Sequence, residues 1–357
     1  MKSLKITLTA IFSLMILLGA RYTAAQAPEW SKALTAASAA SQRGEYTQAQ
    51  NFYLQAIQMQ EKALGAENPQ VAVSLNNLAV AYENQSLYSQ AEQAYRHAVA
   101  ILDKNPRQSS SLARTLNNLA ALYQDQGMDA KADPLYARAL GISEKSGKKE
   151  SSIAAISYLG LARIYHARNQ DVTAEPLYFQ ALTLLNEQGQ SESLEAADAL
   201  IHLAEIYNFR SNTTEAAPMY ADAIAIWQTT DQMGSTQAIT AQSTLGEIYR
   251  SQGKFADAEL LLTHSLSAIE QKLGQNNLEV AASLNHLALL YYCEGKYDAA
   301  EPLYRRALGI REQNLGADDP AVLQTMQYYA ALLRQQGRSA DAEKFETRAA
   351  NSASARL

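Results

Sequence analysis

One tyrosine recurs along this chain at a nearly fixed interval, at Tyr53, Tyr95, Tyr136, Tyr178, Tyr220 and Tyr304, with Leu262 filling the single gap. The interval is 42 residues, except for one step of 41. A second series, Tyr82, Tyr123, Tyr165, Tyr207, Tyr249 and Tyr291, keeps the same intervals. Between the two series a small or turn-forming residue recurs: Gly44, Ser86, Gly127, Asn169, Ser211, Gly253, Gly295 and Gly337. A fixed period of this size marks a stack of supersecondary units, because each unit buries its apolar face only against its neighbours. Eight such units fill residues 28 to 350, and the short step falls at DKNPRQSS.

Each unit reads as two helices. Leu75, Leu78, Ala79 and Tyr82 follow the i, i+3, i+4, i+7 spacing of one helical face. Ala91, Tyr95 and Ala98 do the same for the second helix. Alanine at the crossings lets helices approach, and the tyrosine ring fills the space beside them. The residue between the helices tolerates the positive φ that ends a helix. Leu-Gly-Ala-x-x-Pro, in the best copies, stops one unit and starts the next. Pro134, Pro176, Pro218 and Pro302 fall inside the second-helix pattern and are expected near its start, where a missing N–H costs least. No stretch alternates with period two for long enough to read as a strand.

The pattern L-x-x-L-A-x-x-Y followed by G-x-Y-x-x-A-x-x-x-Y-x-x-A resembles the tetratricopeptide repeat. The 42-residue period with LNNLA, AEPLYRRALGI and LGADDP resembles its kinesin-light-chain type. The resemblance implies an all-α fold, an α-solenoid of about eight helix-turn-helix units wound as a right-handed superhelix. It also implies binding of proteins or peptides rather than catalysis. Asp129 and Asp171 stand where the pattern expects an aromatic, and Leu333 and Glu346 replace the tyrosine pair of the last unit.

The N-terminal 25 residues are read separately. Lys2 and Lys5 precede an uncharged, mostly apolar run, ITLTAIFSLMILLGA, and small residues follow at Thr23-Ala24-Ala25. That is the layout of a secretory signal peptide, with an apolar run shorter than the roughly 20 residues of a spanning helix. The expected organisation is a leader over residues 1–25, a solenoid over 26–350 and a disordered tail over 351–357. Removing Lys2, Lys5 and Arg21 takes the formal charge from −6 to −9. A basic face for nucleic acid is therefore missing, and the mature chain is not expected to insert into a membrane. A periplasmic or secreted location is expected.

Chemistry is hard to find. The five histidines form no i, i+4 pair, so no His-Glu-x-x-His helix exists. His166 and His202 are the pair that neighbouring units would bring close, with solvated or groove-facing rings as the ordinary reading. Cys293 stands alone, which rules out an internal disulfide. Gly-x-Ser-x-Gly and phosphate-cradling glycine loops are absent. No enzyme, cofactor or metal is expected.

The remaining candidate is the helix face opposite the packing stripe. At about 100° per residue, positions 2, 6 and 9 of each first helix turn away from positions 4, 7, 8 and 11. Position 6 holds Asn77, Asn118, Gly160, His202, Thr244, His286 and Tyr328, and position 2 includes Arg114. Stacked first helices would line a concave wall with these residues. An asparagine amide offers both a donor and an acceptor to an extended backbone, and arginine a fork for a carboxylate. The expected peptide-binding set is Asn76, Asn77, Arg114, Asn117, Asn118 and His286. Relatives that grip a C-terminal carboxylate use asparagine and basic residues at such positions, which the resemblance carries to Asn77, Arg114 and Asn118. The alternative reading is a structural envelope component that self-associates or caps a complex. The Ala-rich start (KALTAASAASQRG) and polar end (EKFETRAANSASARL) read as capped and disfavour end-to-end polymers.

Overall fold

The structure is a computed structural model that describes residues 28–147 and 151–354. The leader expected over 1–25 lies outside the described residues. The described chain forms eight helix pairs and no strand. In order they are α1 (Glu29–Gln42) with α2 (Tyr46–Leu64), α3 (Pro69–Asn84) with α4 (Tyr88–Asp103), α5 (Ser109–Asp125) with α6 (Asp129–Ser146), and α7 (Ser151–Ala167) with α8 (Asp171–Glu187). The second four are α9 (Leu194–Phe209) with α10 (Thr213–Thr229), α11 (Thr236–Ser251) with α12 (Phe255–Leu273), α13 (Leu278–Cys293) with α14 (Tyr297–Leu315), and α15 (Pro320–Gln335) with α16 (Ser339–Ser354). The last helix ends past residue 350, so the boundary expected there falls inside it.

Two compact units divide the chain, one up to His202 and one from Leu203. In the N-terminal unit each helix from α1 to α8 packs on the next, and α3 touches α5 as α5 touches α7. In the C-terminal unit α10 to α16 pack in the same succession, and α11, α13 and α15 touch in series. Each repeat is thus a hairpin, and the odd-numbered helices of each unit form a row.

All eight turn residues expected at positive φ adopt it, including the non-glycines Ser86 (61°), Asn169 (58°) and Ser211 (58°). Gly65, Gly274 and Gly316 end α2, α12 and α14 at φ 84–89°. Asn68, Asn277 and Asp319 then cap the next helix through a side-chain oxygen, with Pro69 and Pro320 in the first turn. The 41-residue step has a visible cause: a 3-10 turn, Pro106–Gln108, replaces the usual link between α4 and α5. The four internal prolines sit sixth in their helices, past the first turn where they were expected. Each therefore removes one backbone bond to the carbonyl four residues earlier.

The tyrosines of the first series form the spine. Tyr95, Tyr136, Tyr178 and Tyr304 are at most 1% exposed, and Leu262 fills the same slot at 2%. In that repeat Leu262 lies against Gly246, where the other repeats carry alanine or its like, so a smaller ring substitute meets a smaller partner. The second series is half-buried apart from Tyr123. Tyr123 and Tyr291 reach back to acids on the preceding helix, Glu92 and Glu259, at 2.8 Å in both cases. Burial, reinforced by the acid, pushes both phenols up to about 12.

Candidate functional site

Position 6 of the first helices lies half-buried at Asn77, Asn118, His202, Thr244, His286 and Tyr328, as does Arg114 at position 2. One contact recurs behind this wall. In three repeats the spine tyrosine lies against position 6 of the next: Tyr178 stacks on His202 with ring centres 5.6 Å apart, and Tyr304 meets Tyr328 at 6.3 Å. At Gly160 the Tyr136 ring comes so close that an added Cβ would stand 2.5 Å from its Cε1 and Cε2 atoms. The wall and the spine are therefore in direct contact.

In the N-terminal unit the asparagines are linked. Asn118 Nδ2 donates to Asn76 Oδ1 (3.0 Å), and Asn76 Nδ2 donates to Asn77 Oδ1 (3.3 Å). This relay crosses from α5 to α3. It leaves the Asn77 amide N–H groups at one end and the Asn118 amide oxygen at the other, neither with a protein partner among the described residues. Both ends are half-buried, one a donor and the other an acceptor.

Asn76 and Asn117 depart from expectation. They are buried, at 8% and 2% exposure, and serve helix packing instead of facing outward. Asn117 donates to the Ile153 carbonyl (3.0 Å) and accepts from Ser157 (2.8 Å), both on α7. The same device recurs in the C-terminal unit, where Asn285 donates to Thr325 on α15 (3.1 Å). The reason is rotation: one residue before position 6 turns the side chain toward the neighbouring first helix. His286 belongs to the C-terminal unit and is half-buried, and its Nδ1 has no hydrogen-bond partner among the described residues.

Further along the N-terminal unit the wall becomes ionic. Arg163 Nε lies 3.2 Å from Asp198 Oδ2, and His202 Nε2 lies 3.7 Å from Asp198 Oδ1. Burial alone would raise the Asp198 carboxyl, but Arg163 and His202 outweigh it and hold it below the usual carboxylate range. Asp171, standing where an aromatic is usual, pairs with His166 Nδ1 at 2.7 Å.

Sequence reasoning missed a polar layer beneath the wall. In two repeats the residue after the second-series tyrosine faces the spine tyrosine 12 positions later. Tyr95 donates to buried Glu83 (2.6 Å) and Tyr136 to Gln124 (3.2 Å). In the last repeat the slot pair is Arg334 and Glu346, which bond at 2.7 Å. The fixed offset was readable in the sequence, but the side-chain type varies from copy to copy.

Hairpins in succession, a tyrosine spine and an open polar face on the first helices define a helical-repeat scaffold. The tetratricopeptide repeat signature matches residues 31–104, 111–187, 195–271 and 279–355, and the chain belongs to that family. Among solved structures, the nearly identical TPR-like repeats of a Podosopora anserina 'putative kinesin light chain' are 21% identical. That match covers 56% of this chain and 95% of the other, with a TM-score of 0.48. A signal transduction ATPase of the STAND class with a tetratricopeptide repeat sensor, from Pyrococcus horikoshii, is 13% identical. It covers 90% of this chain and 45% of the other, with a TM-score of 0.55. The apo form of RapI is 14% identical over 80% of this chain and 98% of its own, with a TM-score of 0.53. These last two likenesses are likenesses of fold. No curated protein matches the chain in sequence.

Proposed function

We propose that this chain is a non-enzymatic scaffold that holds an extended peptide or protein segment against the first-helix wall of its N-terminal unit. The observation that carries the reading is the asparagine relay. Asn77 offers N–H and Asn118 offers an amide oxygen, the two groups that an extended backbone takes in turn. The relay fixes both amides before a ligand arrives, which lowers the ordering cost of binding. Arg114, two positions from the packing stripe on α5, supplies positive charge for an acidic side chain or terminus. Asn76 and Asn117 act as supports. The leader-like N-terminus favours action in the periplasm or another secreted space.

The test is recovery of a partner with the mature chain, followed by affinity measurement on the isolated segment. Replacing Asn77 and Asn118 by alanine removes bonds worth about 0.5–1.5 kcal/mol each, so affinity should fall about five- to a hundred-fold. Arg114→Ala should add a loss that shrinks as salt rises. Unchanged affinity in a folded triple variant would move the site away from this wall, with His286 and Tyr328 as the next place. Intact mass of the exported protein tests the location: a product beginning at Gln26 supports it, and a full-length membrane-bound product opposes it.

A further inference from the structure

We propose that His166 and His202 form a seat for a borderline transition-metal ion, zinc above all. The two residues lie 36 positions apart, on neighbouring first helices α7 and α9, and nothing in their spacing announces a metal motif. The fold brings their rings to 5.5 Å between centres, tilted by 53°. Their ligating atoms stand within 4.8 Å of one another.

That separation fits a shared ion. An imidazole nitrogen binds zinc at about 2.0–2.1 Å, which puts each ring centre about 3.2 Å from the metal. Two such rings at a bond angle of about 110–120° have centres about 5.2–5.5 Å apart. The observed rings are therefore already at the right distance, and small rotations aim the nitrogens.

The surroundings supply what a histidine ligand needs. Asp171 Oδ1 engages His166 Nδ1 at 2.7 Å; a carboxylate there favours the tautomer with the proton on Nδ1, which makes Nε2 the ligating nitrogen. A carboxylate behind the far nitrogen of a metal-binding imidazole orients the ring and raises its basicity. Tyr178 stacks on His202 and limits its swing. The side chains of His166 and His202 are 26% and 18% exposed, so a hydrated ion reaches them from solvent. Asp171 and Asp198 contribute two negative charges against the one positive charge of Arg163, so the immediate field favours a cation. Imidazole donors select zinc, copper and nickel over magnesium or calcium. Water or a ligand carboxylate completes the coordination, so the seat is open rather than closed in the structural sense. An ion here would tie α7 to α9 through their side chains.

The experiment is calorimetric titration of the mature chain with zinc chloride in a non-chelating buffer near neutral pH, with cobalt absorption as a second readout. The expected result is one ion per chain with micromolar affinity and a visible cobalt spectrum. His166→Ala and His202→Ala should each abolish uptake while the helical signal and melting midpoint show a folded chain. Asp171→Asn, which keeps the shape but not the charge, should weaken zinc by about 10- to 100-fold. A His97→Ala, His264→Ala control removes two exposed histidines and should change nothing. Uptake only at millimolar zinc, or equal affinity in a folded His166→Ala, His202→Ala double variant, overturns the proposal.

Discussion

Two glycines inside helices should respond to the same substitution with opposite signs. Gly160 lies in α7, with the Tyr136 ring across its Cα, and an alanine Cβ would stand 2.5 Å from two ring carbons. Ordinary contact is about 3.5–4.0 Å, so the ring must retreat by about 1 Å or more. Tyr136 has little room to do so, because it is 1% exposed and its hydroxyl is bonded to Gln124 at 3.2 Å. Overpacking of this kind costs about 1–3 kcal/mol. Breaking the Tyr136–Gln124 bond adds about 0.5–1.5 kcal/mol. Alanine recovers about 0.5–1 kcal/mol of helix preference over glycine. Gly160→Ala should therefore destabilise by about 0.5–4 kcal/mol net. Gly141, in α6, has nothing within 4 Å of an added Cβ, so Gly141→Ala should stabilise by about 0.5–1 kcal/mol. Denaturant midpoints for both variants, with hydrogen exchange of the 151–167 amides to localise the effect, give the answer. A Gly160→Ala chain as stable as the parent would show that Tyr136 is not held against α7.

Tyr123 and Tyr291, held up at about 12, keep their protons in the folded chain while the unfolded chain loses them near 10. Their contribution to stability is thus complete below about pH 10 and is lost as pH rises through about 12; phenolate absorbance should lag the unfolded reference, and Glu92→Gln should bring Tyr123 down. Tyr178→Ala removes a fully buried ring and should cost about 3–5 kcal/mol by denaturant midpoint. Lys296→Ala removes an exposed partner of Glu294 and should leave the midpoint nearly unchanged in the same assay.

Much of the fold was readable because its controls are local. Ser86, Asn169 and Ser211 mark turns by the same logic as the glycines, and all three adopt positive φ. The buried tyrosine series declared itself through spacing alone. The prolines were harder: Pro134 and its counterparts sit one turn deeper than a cost argument places them, because neighbouring helices stabilise a helix that lacks one bond. The candidate site was half legible. A 100° rotation correctly set Asn77, Arg114 and Asn118 apart from the buried stripe. It did not reveal that Asn117 faces Ile153 and Ser157, because those partners come from another repeat and leave no trace in the helix that carries Asn117. The His166–His202 approach was foreseeable as a proximity, while the Asp171 support behind it looked in sequence only like a lost aromatic.

The meeting of a spine ring with position 6 of the following repeat, seen at Tyr136, Tyr178 and Tyr304, bears on how such a chain changes over generations. A residue on the outer face is braced by one ring from the repeat before it, as His202 is by Tyr178 and Tyr328 by Tyr304. Altering such a residue therefore asks for accommodation at its bracing ring and its immediate neighbours rather than throughout the array. Where the face residue shrinks to Gly160, the ring moves into the vacated volume; the bracing position, not the face alone, decides which side chains can be exchanged. Side chains on this face can therefore be exchanged one adjacent pair at a time, with distant repeats untouched.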